Sequence, residues 1–187
     1  MKVAIVHDYL SQFGGAERVV CEMAKIFQDA PIYTSIYFSD LTWPDLQNHR
    51  VVTTWLQNVP GSRRHFKALL PLYPLVFNGL GLEEYDLVIS SSSSFAKGIN
   101  VRKGAIHICY CHTPTRFLWS FDDYLNRQGF SEVTRPLLRP MVHWLQRWDL
   151  GAARKPDYFV ANSTVVQHRI RRTYGRDARV IHPPVNV

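Results

Sequence analysis

Short apolar, β-branched runs recur along this chain with helical patterns between them, and that alternation limits the fold more than any other feature. The runs cover residues 3–7, 32–38, 51–55, 86–91, 105–111, 157–162 and 179–182. Residues 16–27 place Val19, Val20, Met23, Ala24 and Phe27 on one helical stripe. Residues 63–80 read as helix broken by Pro71 and Pro74, and 116–125, 133–153 and 163–174 as further helices, the last with Ser163 as its N-cap. Strands separated by helices predict a mostly parallel sheet with right-handed crossovers. Continuous apolar strands such as "VAIV", "LVI" and "YFVA" suit a sheet covered on both faces. The expected fold is α/β, a Rossmann-like doubly wound domain.

Bulk properties exclude several classes. The 187 residues suffice for one domain with a sizeable core, and 46% hydrophobic with 20% charged residues is ordinary for a globular chain. No apolar run reaches the roughly 18 residues of a membrane span, and the first residues read as a buried strand rather than a leader. Cys21, Cys109 and Cys111 make no disulfide framework, and a cytoplasmic location fits. The net charge of +7 points to an anionic partner: nucleic acid, anionic lipid or a phosphorylated substrate.

Ligands of such sheets bind at the carboxyl ends of the strands. That edge collects His7, Asp8, Gly14 and Gly15, then Ser91–Ser94, then His112–Arg116, then Asn162 and Ser163. Gly14 and Gly15 precede a helix start, where free N–H groups and the positive helix end hold an anion. The alternative is a loop that needs glycine merely to enter the helix. Glu17 either complements the helix dipole, fixes the loop or holds a substrate hydroxyl. In "CHTPTRFLW", His112 stands just past a strand, and Arg116 offers a fork for phosphate or pairs with Asp122 or Asp123. Ser92 and Ser93, with Lys97 nearby, either bind phosphate or sugar or form an ordinary polar loop. Arg63, Arg64 and Lys67 stand among Phe66, Leu69, Leu70, Leu72, Tyr73 and Phe77, a pattern that serves either a membrane-surface helix or a buried helix with a solvated basic face. No C-x-x-C, H-E-x-x-H, D-x-D, G-x-S-x-G or Walker pattern occurs.

"VAIVHDYLSQFGGAERVV", "CHTPTRFLW", "WDLGAARKPDYFVANSTVVQHRIRRTYG" and "VIHPPV" together resemble the N-terminal half of GT-B glycosyltransferases of family 4, with the mannosyltransferases of bacterial surface-polysaccharide assembly the most similar. The resemblance covers essentially the whole chain. It implies that residues 1–187 are the acceptor-side domain, that a donor-binding C-terminal domain is absent, and that this domain alone is inactive. It implies a retaining transfer of a hexose, mannose among the candidates, from a nucleotide sugar to a lipid-linked or saccharide acceptor, with no cofactor and no metal. By the same resemblance Gly14 and Gly15 face the donor diphosphate, and His112 is the active-site histidine that contacts the donor sugar. Asp8, Glu17, Ser92, Ser93 and Arg116 are candidates for the acceptor or for ordering its loops. Arg63, Arg64 and Lys67 are candidates for an anionic membrane surface. The competing classes are an NAD(P)-binding oxidoreductase domain, with Asp40 as the ribose-binding acid but no G-x-G-x-x-G, and a non-enzymatic basic module. The basic residues are scattered rather than striped, so nucleic acid is not expected.

Overall fold

A computed structural model describes residues 1–121 and 134–184, with the backbone alone at 64, 65, 67, 68, 134 and 135. Seven strands form one sheet: β1 (Val3–His7), β2 (Ile32–Thr34), β3 (Val51–Thr53), β4 (Leu87–Ser92), β5 (Ile106–Cys111), β6 (Tyr158–Ala161) and β7 (Arg179–Val180). Their order is β3-β2-β1-β4-β5-β6-β7, and every pairing is parallel. The order reverses between β1 and β4. A crevice opens there at the carboxyl ends of the strands, because the connections leave in opposite directions.

The helices are α1 (Gly15–Ile26), α2 (Ser62–His65), α3 (Tyr73–Asn78), α4 (Arg116–Trp119), α5 (Thr134–Ala152) and α6 (Thr164–Tyr174). In α1, Val19, Val20 and Ala24 are buried, and Met23 and Phe27 pack beside them. Alternate residues of β1 serve the two faces, as the period of two requires. Ala4 and Val6 join one core cluster, and Ile5 joins the cluster built with α1. Cys109 and Cys111, two apart on β5, are both buried and free.

Two expectations needed adjusting. The segment expected as one broken helix is three pieces: α2, a 3-10 stretch at Phe66–Leu72 containing Pro71, and α3 with Pro74 in its first turn. Pro71 has no N–H to give, which suits the tighter, shorter form. The strand expected over 32–38 keeps its ladder only for Ile32–Thr34, and a single bridge from Leu10 to Tyr37 continues it. The sequence-predicted helix over 116–125 is seen as α4, and the rest lies partly outside the described residues.

Candidate active site at the β1/β4 crevice

His7 ends β1 and stands in register with Ser91 on β4, which stands in register with Tyr110 on β5. His112 follows Tyr110 by two residues. Strand parity therefore turns His7, Ser91 and His112 to the same face of the sheet, the face on which α1 packs.

The side chains meet in a line. His7 Nδ1 lies 3.0 Å from the Ser91 carbonyl oxygen and 3.1 Å from Ser91 Oγ. Ser91 Oγ lies 2.8 Å from His112 Nε2. At the other end His7 Nε2 faces Glu17 Oε1 at 4.0 Å, and both side chains are almost fully buried. Burial alone would raise the Glu17 pKa, but the His7 ring beside it, together with a main-chain N–H and Gln12, outweighs that, and the carboxyl is held below its usual value. Burial first, and then neighbouring His7, push the His112 pKa down to about 3, so its imidazole is neutral at pH 7. Asn162 donates to the His112 carbonyl at 3.2 Å, which ties the β5 and β6 ends together.

Gly14 and Gly15 differ in what they do. A Cβ on Gly14 would lie 2.2 Å from Glu17 Oε2, so the glycine is what lets the loop pass over the buried carboxylate. A Cβ on Gly15 would meet nothing within 4 Å, so the first turn of α1 opens to free space. The loop is braced from outside: Trp43 Nε1 donates to the Gly14 carbonyl at 3.2 Å, and the Arg18 guanidinium lies over the Trp43 ring. Glu17 Oε2 is sealed and has no hydrogen-bond partner.

Asp8 has another place in the crevice. It is 1% exposed and accepts four main-chain N–H groups, from Ser93 and Ser94 on one oxygen and from Phe95 and Ala96 on the other, at 2.6–2.9 Å. Those amides form a concave anion cradle, the feature that would have served a phosphate in one of the two readings of the Ser-rich loop. The protein's own carboxylate fills it, so Asp8 orders the loop. Ser92 is buried, and its Oγ accepts the Lys97 N–H at 3.3 Å. Ser93 contributes its amide to Asp8.

Lys97 does not add charge to that loop. It is 1% exposed, and its Nζ reaches Asp149 Oδ1 at 2.5 Å, Thr115 Oγ1 at 3.1 Å and the Ser94 carbonyl. Burial opposes its charge, yet Asp149 and the Tyr174 oxygen more than offset this and raise its pKa. Asp149 accepts in addition from Thr115 Oγ1 at 2.8 Å, Trp119 Nε1 at 2.7 Å and Tyr174 OH at 2.8 Å. Trp119 is thus fixed into the scaffold.

The remaining candidates stay apart from this group. Arg116 is exposed at the start of α4, and Asp122 and Asp123 lie outside the described residues. Arg63 is paired with Asp40 and lies over the Phe38 ring, and this guanidinium holds the Asp40 carboxyl below the usual range. Asp40 is therefore already occupied by a cation. The side chains of Arg64 and Lys67 lie outside the described residues. Phe66, Leu69, Leu70, Leu72, Tyr73 and Phe77, the apolar half of that segment, pack into the core. No helix among the described residues is long and apolar enough to cross a membrane. Among the described residues no group of three or more His, Cys, Asp or Glu side chains is placed to hold a metal.

Sequence reasoning placed His7 and Ser91 on the ligand edge but did not single them out. Parity was the signal: positions 7, 91, 110 and 112 share one face once the strands are aligned in order.

Residues 13–187 match the model of the family described as Glycosyltransferase Family 4. The chain belongs to glycosyltransferase family 4. Two solved structures of HepE from Anabaena, one in complex with UDP and one with UDP and glucose, superpose on the whole of this family 4 chain with TM-scores of 0.58 and 0.55 at 18% identity. This chain spans 45% of each of them, so it corresponds to about one half of a GT-B molecule. Among curated protein sequences none matches it.

Proposed function

We propose that this domain is the acceptor-side half of a retaining glycosyltransferase that moves a hexose from a nucleotide sugar to a lipid-linked or saccharide acceptor. The observation that carries this reading is the row of neighbouring side chains Glu17, His7, Ser91 and His112 at the sheet's reversal point, beside Gly14 and Gly15 at the start of α1. The bond from sugar C1 to the diphosphate oxygen breaks. An acceptor hydroxyl oxygen takes C1, and its proton passes to the departing diphosphate. The amides at the open start of α1, beside Gly15, meet the charge that develops on that diphosphate, in place of a metal ion. His112, neutral and half-buried, contacts the sugar. Asp8 and Glu17 are both sealed, which favours a reaction without a carboxylate nucleophile. The donor's nucleotide is held by a second domain. HepE was solved with UDP and glucose, which makes UDP-glucose the first donor to try and GDP-mannose the second.

The test is radiolabelled transfer. The enzyme that joins this chain to a donor-binding half is incubated with labelled UDP-glucose or GDP-mannose and a lipid extract of its host. Label should enter the lipid or saccharide fraction and depend on His112. No incorporation from any nucleotide sugar, with the protein folded, would contradict the reading.

A further inference from the structure

The Ser91 carbonyl decides where the protons sit along this line. A carbonyl oxygen only accepts, so His7 Nδ1, 3.0 Å away, must carry a hydrogen and donate to it. The same N–H leans on the lone pairs of Ser91 Oγ at 3.1 Å. The Ser91 hydroxyl hydrogen then points elsewhere, and His112 Nε2 at 2.8 Å is within reach as an acceptor. A nitrogen that accepts from a hydroxyl holds no hydrogen, so in a neutral His112 the remaining proton is on Nδ1. His112 is only partly buried, and its Nδ1 has no hydrogen-bond partner among the described residues.

We propose that Glu17, His7 and Ser91 are positioning residues that hold His112 in the tautomer with its proton on Nδ1, so that it meets substrate as a hydrogen-bond donor rather than as a base. Glu17 Oε1 lies at the other ring nitrogen, Nε2, and draws a second hydrogen there, so His7 donates from both nitrogens and Nδ1–H stays on Ser91. The group that Nδ1–H receives is a substrate oxygen with a free lone pair, a sugar hydroxyl or a phosphate oxygen. A histidine held this way selects ligands by an acceptor at that point, and a deoxy sugar lacking it loses the contact. This assignment of ligand chemistry rests on the glycosyl-transfer reading, but the tautomer does not.

The chain labelled with 15N at histidine gives the answer in long-range nitrogen–proton correlation spectra, with His112→Ala identifying the signal. Wild type at pH 7 should show a neutral His112 with Nε2 in the unprotonated, acceptor range and Nδ1 protonated. Ser91→Ala removes the donor, and His112 should shift toward the tautomer protonated on Nε2. Ser91→Thr, which keeps the hydroxyl, should restore the wild-type pattern. Glu17→Gln should weaken the preference through His7. A wild-type His112 protonated on Nε2 overturns the proposal even if the variants fail to fold, as does a tautomer unmoved by Ser91→Ala. Either result leaves glycosyl transfer standing. Conversely, failed transfer with the expected tautomer removes the functional reading and not this one.

Discussion

Two buried polar groups lie under the carboxyl edge of one sheet, and they are finished to different degrees. Around Asp149 every group has its partner: Lys97, Thr115, Trp119 and Tyr174 converge on two carboxylate oxygens. Around Glu17 the partners are incomplete: one carboxylate oxygen has none, and neither does His112 Nδ1 among the described residues. Buried polar groups in folded proteins are nearly always satisfied, and sealed Glu17 Oε2 is an exception, as are Tyr37 OH, Tyr73 OH and His107 Nδ1 elsewhere. The first group locks the loops after β4 and β5 to α5 and α6. The second is the group that meets substrate in the proposed glycosyl transfer.

The largest way to break this contrast is to remove the lock. Asp149→Ala leaves the Lys97 ammonium buried with no counter-charge, and should cost about 3–5 kcal/mol in a urea melt. A loss under about 1 kcal/mol would mean that water reaches Lys97 and the group is not closed.

The pH dependence of stability separates the groups next. Histidines held neutral by burial, His112 at about 3 and His107 at about 4, bind fewer protons when folded than when unfolded. Their contribution is full above the unfolded value near 6.5 and should be lost progressively as pH falls, down to about 4 for His107 and about 3 for His112. At the other end, burial raises Cys21 to about 11 and Cys109 to about 12, and raises Tyr174 as well. The folded state holds those protons longer than the unfolded one, so stability should fall again above about pH 9. Unfolding midpoints measured across pH 4–10.5 check both limbs. Replacing His112 by Phe should flatten only the acid limb.

The two glycines sharpen the comparison with a smaller effect. Gly14→Ala pushes a methyl onto the sealed Glu17 carboxylate and should cost about 1–3 kcal/mol. Gly15→Ala meets open space at a helix start and should stabilise by about 0.4–1 kcal/mol while lowering turnover, because the added methyl stands where the proposed function brings the donor diphosphate. Equal effects of the two changes on stability would remove the distinction drawn between them.

Much of this was legible in the sequence because it is local. The apolar runs, the stripe in α1, the Ser163 cap and the buried pair Cys109 and Cys111 each follow from residues near one another, and the first strand was expected over the same span that it occupies. What stayed hidden depends on residues far apart. Lys97 looks like loop charge until Asp149, 52 positions later, is folded against it. Asp8 looks like a site acid until the amides of 93–96 close on it. The run 63–80 looks amphipathic because basic and apolar residues alternate there, yet Tyr73 and Phe77 are core and Phe66, Leu69, Leu70 and Leu72 pack partly buried against it, while Leu75 stays exposed. In each case the deciding fact is which partner arrives, and the chain order does not show it.

The most direct measurement is a paired one on His112→Ala in the enzyme that joins this chain to a donor-binding half: turnover and unfolding midpoint side by side. The account predicts at least a ~100-fold loss of turnover with the midpoint at pH 7 nearly unchanged, the opposite of Asp149→Ala. Wild-type turnover, or a midpoint that falls as far as it does for Asp149→Ala, would contradict it and make the open group one more piece of scaffold.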